Sequence, residues 1–208
     1  MAHRAVVQAG LVRLNSTLKR AVDVSLALPA LIAFAPLMVG IAAAIRVDSK
    51  GPALFRQKRY GRGAHVFEIL KFRTMVQDAQ VVIDPSNSRV VNREDDTNQT
   101  PIGRVLRRLS LDELPQLINV LKGDMSLVGP RPDLAVGLHW YSDYQLNKLK
   151  VRPGITGPAQ VSGRNLLGSQ EKWNLDAAYA LDNSISVDLK ILLATVLTVA
   201  KRRGVYGS

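Results

Sequence analysis

"VSLALPALIAFAPLMVGIAAAI", residues 24–45, runs for 22 residues without a charged side chain. At 1.5 Å rise per residue a straight helix of that length reaches ~33 Å, enough to cross the hydrocarbon core of a bilayer. A globular core helix is rarely apolar on every side, so the stretch reads as a membrane segment. A cleaved signal peptide is a poor fit, because roughly twenty polar and mixed residues come first and no small-residue cleavage site follows Ile45.

The flanks bear on how the segment sits. Lys19 and Arg20 precede it, and Arg46, Lys50, Arg56, Lys58 and Arg59 follow it. The positive-inside tendency puts both flanks on the cytoplasmic side. Pro29 and Pro36 each remove a helical hydrogen bond and crowd the carbonyl four residues back. These features favour a re-entrant helix-break-helix bent near Ala35–Pro36. The competing reading is a tilted single span that tolerates its prolines.

The chain of 208 residues suits one domain with appended elements, or at most two small domains. Its expected division is an N-terminal lead (1–18), the membrane segment (19–47) and a cytoplasmic or interfacial catalytic domain (48–208). With 47% hydrophobic residues the chain is not disordered, and with no cysteine it has neither disulfides nor thiolate metal sites. A net charge of +11 seeks polyanions: anionic lipid, phosphorylated substrates or nucleic acid. Nucleic acid is disfavoured, because only 5% of residues are aromatic and the apolar stretch has no role there.

Beyond Asp48 two strand-like runs, 53–59 and 65–74, flank the turn signal "YGRG". Residues 76–100 read as a helix fragment plus loop, with Asp95 and Asp96 a solvated charge run. Ile102, Val105, Leu106 and Leu109 recur at helical spacing. A second helix is expected from Leu111 to Lys122, with Leu114, Leu117, Ile118 and Leu121 inward and Gly123 as its stop. "SLVGPRPD" (126–133) is a rigid turn around Arg131, and "VRPGITGPAQVSGRN" (151–165) a second Gly/Pro loop. Helical patterns follow at about 169–182 and 188–203. The last is too short to span a membrane and suits either an interfacial helix or a core helix with a basic end.

In "RVLRRLSLDELPQL" (104–117) two adjacent carboxylates, Asp112 and Glu113, follow three arginines. One reading is structural: Ser110 to Glu113 matches a capping box, and acidic residues suit a first helical turn. The other is chemical. Arg107, Arg108 and Arg131 could keep a carboxylate ionised and clamp a phosphate in a two-pronged way. A carboxylate can attack phosphorus to form an acyl phosphate, and a carboxylate pair with substrate phosphates can hold Mg²⁺. The residues alone leave both readings open.

Six stretches in order, "KRAVDVSLALPALIAFAPLMV", "DSKGPALFRQKRYG", "EILKFRTM", "LRRLSLDELPQLINVLKGDMSLVGPRP", "VRPGITGPAQVSGRN" and "DLKILLATVLTV", resemble the bacterial sugar transferases, the monotopic phosphoglycosyl transferases. The resemblance covers about Lys19 to Gly204. It implies an irregular, mostly helical α/β fold. A re-entrant membrane helix would pack on a small cytoplasmic catalytic domain with amphipathic interfacial helices. It implies transfer of a sugar-1-phosphate from a UDP-sugar to a polyprenyl phosphate at the cytoplasmic face of the bacterial inner membrane, initiating exopolysaccharide, capsule, O-antigen or glycoprotein glycan assembly. It makes Asp112 the nucleophile, Glu113 its partner, and Mg²⁺, held at Asp112 and Glu113, the cofactor. Arg107 and Arg131 become phosphate-binding residues, with Lys71, Arg73, Gln160 and Arg164 as further substrate contacts. Two positions depart from the family pattern: Ala35 stands where serine is frequent and Pro158 where tryptophan is common. Larger relatives carry preceding membrane spans and an extra domain, so the chain resembles the minimal catalytic form. The alternative is a non-enzymatic basic adaptor on an anionic lipid surface.

Overall fold

The structure, a computed structural model, describes residues 2–76, 83–84, 89–90, 98–135, 138–163 and 166–200; residues 2–15, 83–84, 89–90 and 199–200 are described by backbone alone. Helix α1 (Ala2–Asp48) is one continuous helical run through Pro29 and Pro36. The expected break at Ala35–Pro36 is therefore not a gap in secondary structure: the helix continues past both prolines, each of which lacks a backbone N–H. Its Ser16–Asp48 part is long and apolar enough to cross a membrane.

Helix α1 touches the rest of the chain at both ends of its apolar stretch. Ala27, Ala30 and Leu31 join a core with Phe67, Ile69, Leu117, Val120 and Met125. Ile41 and Ile45, with Met38 and Ala42, join a second with Ala53, Phe72 and Leu106. Residues 32–37, between them, are all exposed. Polar contacts fix the first end. Arg20 donates to the carbonyls of Val120 and Leu121, and Asp23 accepts from Ser126 Oγ at 2.9 Å and Leu127 N at 3.0 Å. Lys19 Nζ reaches Val128 O at 2.9 Å and Asp188 Oδ2 at 2.5 Å.

Strands β1 (Leu54–Tyr60) and β2 (Val66–Phe72) form an antiparallel hairpin with Phe55 opposite Lys71 and Arg59 opposite Phe67. Its connection is a short 3₁₀ turn, Arg62–Ala64, in which Gly63 takes a φ of 68°. The helix expected within 76–100, and Asp95 and Asp96, lie largely outside the described residues. What is described there is a two-residue strand pair, β3 (Ile83–Asp84) with β4 (Arg89–Val90), and the approach to the next helix.

Helix α2 (Pro101–Leu109) starts at Thr100, whose side chain accepts from Gly103 N at 3.0 Å, and has Pro101 in its first turn. Gly103 packs directly on the Thr74 backbone, where a Cβ would collide. The helix ends at Ser110 in the left-handed region (φ 57°), whose N–H closes onto Arg107 O and Leu106 O. The expected capping box does not form. Ser110 makes no side-chain cap bond, and the Glu113 carboxylate is turned to other residues. Instead Leu111–Glu113 form one 3₁₀ turn, and α3 (Gln116–Lys122) starts after Pro115 and stops at Gly123 (φ 91°).

Helix α3 also buries polar groups that spacing did not indicate. Gln116 and Asn119 are buried with Leu117 and Val120, whereas Leu114, Ile118 and Leu121 are half-buried. Asn119 Oδ1 accepts from Leu70 N at 2.9 Å and its Nδ2 donates to Glu68 O at 2.8 Å, docking α3 on β2. Strand β5 (Ser126–Val128) pairs in parallel with β6 (Gly154–Thr156). Between them a six-residue 3₁₀ segment, Gln145–Lys150, packs on α5 (Ser169–Leu181). The short α4 (Pro158–Ser162) has Pro158 in its first turn, a position proline suits. Helix α6 (Ile185–Ala200) buries Ile191 beside Val128 and Tyr179 and leaves Leu189, Leu193, Val196 and Leu197 exposed. It thus has a core face and an uncovered apolar face.

Candidate active site

The abrupt end of α2 at Ser110 decides where the acidic pair goes. With the chain reversed by one left-handed residue, the 3₁₀ turn presents Asp112 and Glu113 toward the end of β2. There Lys71 Nζ donates to Glu113 Oε1 at 2.8 Å, and Arg131 Nη2 reaches the same oxygen at 2.8 Å. Arg107 Nε donates to Thr74 Oγ1 at 2.9 Å, which fixes its guanidinium near Asp112. Four segments thus meet: α2, the 3₁₀ turn, the end of β2, and the Pro130–Arg131–Pro132 loop after β5.

The two carboxylates experience different surroundings. Burial alone would raise the Glu113 carboxyl, but Arg131 and Lys71 outweigh it by charge and hydrogen bonding and hold it well below the usual carboxylate range. Burial, and then the Glu113 charge, push the Asp112 carboxyl up to about 6 against Lys71, Arg107 and Arg131. No hydrogen bond among the described residues engages the Asp112 carboxylate. The pair is thus divided in its surroundings: Glu113 is tied to two cations, and Asp112 sits beside it with its carboxyl pushed up by burial.

Of the residues singled out from sequence, Asp112, Glu113, Arg107, Arg131 and Lys71 come together. Arg73 does not join them. It is buried, and its guanidinium donates to Lys50 O, to Ser49 O at 2.8 Å and to Ser49 Oγ at 3.0 Å, closing the C-terminal end of α1. Lys71 lies within β2 and points to the site, whereas Arg73 follows the strand's last residue, Phe72, and donates its backbone N–H to Ala53 O at 2.8 Å while its side chain turns to the end of α1. Gln160 sits on α4 beside Gly157, with both amide atoms buried and without a hydrogen-bond partner in the described residues. Arg164 lies outside the described residues.

Sequence reading missed Thr74, which orients Arg107, and a buried group behind Arg131 formed by Arg59, Asp133, Lys148 and Asp176. Thr74 adjoins "KFR" and was findable by position. Lys148, in "LNKLK", carries no signal of its own.

Among the described residues no group of three or more His, Cys, Asp or Glu side chains is placed to hold a metal. A divalent cation at Asp112 and Glu113 would need its remaining oxygens from water and substrate. That suits Mg²⁺, which binds through one or two carboxylates plus phosphates, and not an all-protein cage.

Residues 14–202 match the bacterial sugar transferase family, and the chain belongs to that family. It is similar to an uncharacterised sugar transferase, EpsL, of Bacillus subtilis (strain 168), at 40% identity over 188 residues, 90% of each chain. It is 43% identical over 199 residues to the UDP-glucose:undecaprenyl-phosphate glucose-1-phosphate transferase of Caulobacter vibrioides, covering 90% of this chain and 72% of that protein. The undecaprenyl-phosphate galactose phosphotransferase of Salmonella typhimurium is 38% identical over 204 residues, 93% of this chain but 43% of the longer relative.

Proposed function

We propose that the chain moves a sugar-1-phosphate from a UDP-sugar to a polyprenyl phosphate, through a phosphosugar carried on Asp112, as the first membrane step of a bacterial polysaccharide. The observation that carries this reading is the split pair: Glu113 is held by Lys71 and Arg131, while the adjacent Asp112 carboxylate has no hydrogen bond among the described residues. The names of two relatives, an undecaprenyl-phosphate galactose phosphotransferase and a UDP-glucose:undecaprenyl-phosphate glucose-1-phosphate transferase, support the acceptor and donor classes.

In the first step an Asp112 carboxylate oxygen attacks the sugar-linked β-phosphorus. The new P–O bond forms as the bond from that phosphorus to the bridging oxygen breaks, and UMP departs with the electron pair. In the second step a phosphate oxygen of the polyprenyl phosphate attacks the same phosphorus and releases the Asp112 carboxylate. Arg131 and Arg107 hold the phosphate oxygens as charge builds, Arg131 by its planar fork. Lys71 and Glu113 keep Arg131 oriented. Mg²⁺, bound by Asp112 and Glu113 with the diphosphate, would supply further charge neutralisation.

The membrane arrangement in this reading is re-entrant. Both flanks of the apolar stretch pack on one folded body while residues 32–37 are uncovered. A straight span would separate those flanks by the thickness of the bilayer, ~30 Å. The bend would lie near Pro36, and the uncovered Leu189, Leu193, Val196 and Leu197 of α6 would rest in the same interface. The active site would then face the cytoplasm, where nucleotide sugars are available. The test is UMP release by the purified protein with polyprenyl phosphate and a panel of UDP-sugars. Release with one or more sugars supports the reading. No release with any sugar, from folded protein with Mg²⁺ present, contradicts it.

A further inference from the structure

Against the Arg131 backbone lies a largely buried ionic group with no part in the chemistry above. Lys148 is 4% exposed, in the 3₁₀ segment against α5. Its Nζ lies 2.5 Å from Asp133 Oδ2 and 3.1 Å from Asp176 Oδ2. Asp176, 1% exposed on α5, also accepts the backbone N–H of Arg131 with the same Oδ2, at 3.3 Å. Tyr141 donates its hydroxyl to Asp133 Oδ2 at 2.6 Å and sets its ring against Trp173 on α5, centroids 4.7 Å apart.

The backbone around Arg131 is held at every step. Pro130 O accepts from Gly154 N at 2.9 Å, Pro132 O accepts from Arg59 Nη1 at 3.1 Å, and Asp133 O accepts from Tyr60 N at 3.1 Å. Two prolines stiffen what remains. Yet the Arg131 side chain, 46% exposed, has among the described residues a single hydrogen bond, to Glu113, to guide it. The direction of the guanidinium is therefore set from its backbone, and that backbone rests on the Lys148 group. A buried ion group of this kind is a poor source of net stability, because desolvation offsets the attraction. Its charges and directional bonds do fix one loop geometry.

We propose that Lys148, bridging Asp133 and Asp176, is the positioning residue for Arg131: it locks the Pro130–Asp133 backbone so that the guanidinium meets the transferring phosphate at a fixed angle. This inference rests on the reading of Arg131 as the phosphate clamp. Without the lysine, the buried Asp176 and the half-buried Asp133 would face each other across the loop with no lysine charge between them and repel it. The effect on chemistry then runs through Arg131 and through no other group.

A double-mutant cycle tests this, with UMP release as the assay and Lys148→Met, Arg131→Ala and the pair as variants. Because Lys148→Met strands the carboxylates of buried Asp176 and half-buried Asp133, the near-isosteric Asp176→Asn, with and without Arg131→Ala, is a second cycle for the case that the first does not fold. In the native background we expect either change to lower kcat/KM by about 10-fold or more, mostly in kcat, since misplacement by about 1 Å can cost far more than that. In the Arg131→Ala background the same change should cost less than about 2-fold, since residues acting as one unit are non-additive. An equal loss in both backgrounds overturns the inference and leaves Lys148 a plain core ion pair, as does unaltered kcat/KM in the native background. Neither outcome touches the proposed transfer reaction, which fails only if the native protein releases no UMP.

Discussion

Arg131 Nη2 and Glu113 Oε1 are 2.8 Å apart, and Lys71 Nζ meets the same oxygen at 2.8 Å. Two cations on one carboxylate oxygen offset the Glu113 charge, and no hydrogen bond among the described residues engages the Asp112 carboxylate beside it. The arginine is anchored at its tip by Glu113 and at its backbone by Asp176, with the guanidinium plane between them half-exposed.

Arg131→Lys keeps the charge and removes the two-pronged plane. We expect kcat/KM to fall by about 1–3 kcal/mol of transition-state stabilisation, the scale of charge-assisted hydrogen bonds. Steady-state kinetics on folded protein checks this. A rate close to that of the native protein would make Arg131 a turn residue only.

The pH profile follows from Asp112. Attack needs the carboxylate, so kcat/KM should rise about tenfold per pH unit on the acid side and level off above an apparent pKa of about 6. Glu113 raises that value and Arg107 lowers it. Removing the Glu113 charge (Glu113→Gln) should therefore move the acid limb to lower pH, and Arg107→Met should move it to higher pH. Shifts in the opposite senses, or none, would take the limb away from Asp112.

Arg73 separates structure from chemistry. Its guanidinium closes the end of α1 on Ser49 and Lys50. Arg73→Met should leave kcat/KM of the folded enzyme within about twofold while lowering stability by about 1–3 kcal/mol, the scale of hydrogen bonds to a charged group. Thermal unfolding in detergent beside the UMP assay measures both. A large loss of rate with unaltered stability would return Arg73 to the substrate site.

Topology is testable cleanly because the chain has no cysteine. Leu18→Cys and Lys50→Cys, both exposed positions at opposite ends of the apolar stretch, should be labelled by an impermeant thiol reagent from the cytoplasmic side only. Labelling of one from each side would replace the re-entrant helix with a straight span.

Much of the frame was legible in the sequence because local signals govern it. The apolar stretch, the hairpin around "YGRG", α2 with its 3.6-residue spacing, the Gly123 stop and the two C-terminal helices follow from periodicity and turn residues. The capping box misled because Ser110 entered the left-handed region, so α2 ended where a new helix was expected to begin. The burial of Gln116 and Asn119 had no sign in the apolar spacing, because the partners that make burying Asn119 tolerable come from β2, a tertiary fact invisible to spacing. Of the site, Asp112, Glu113, Arg107 and Arg131 were readable from their crowding of charge. Lys148 and Asp176 were not, since their sequence separation from Arg131 is closed only by the fold.

The most direct measurement is mass spectrometry of the protein after incubation with UDP-sugar in the absence of acceptor, comparing native enzyme with Asp112→Asn. The variant should remain folded at neutral pH. Asp112 has a folded pKa near 6, above the unfolded value of 3.8, so its ionisation costs stability as pH rises through that range, and the neutral amide avoids the cost. The account predicts one sugar-phosphate on the peptide containing "LSLDELPQ" in the native enzyme, discharged on adding polyprenyl phosphate, and no adduct or UMP release from the variant. An Asp112→Asn enzyme that is fully active, with its asparagine intact, would contradict the covalent mechanism.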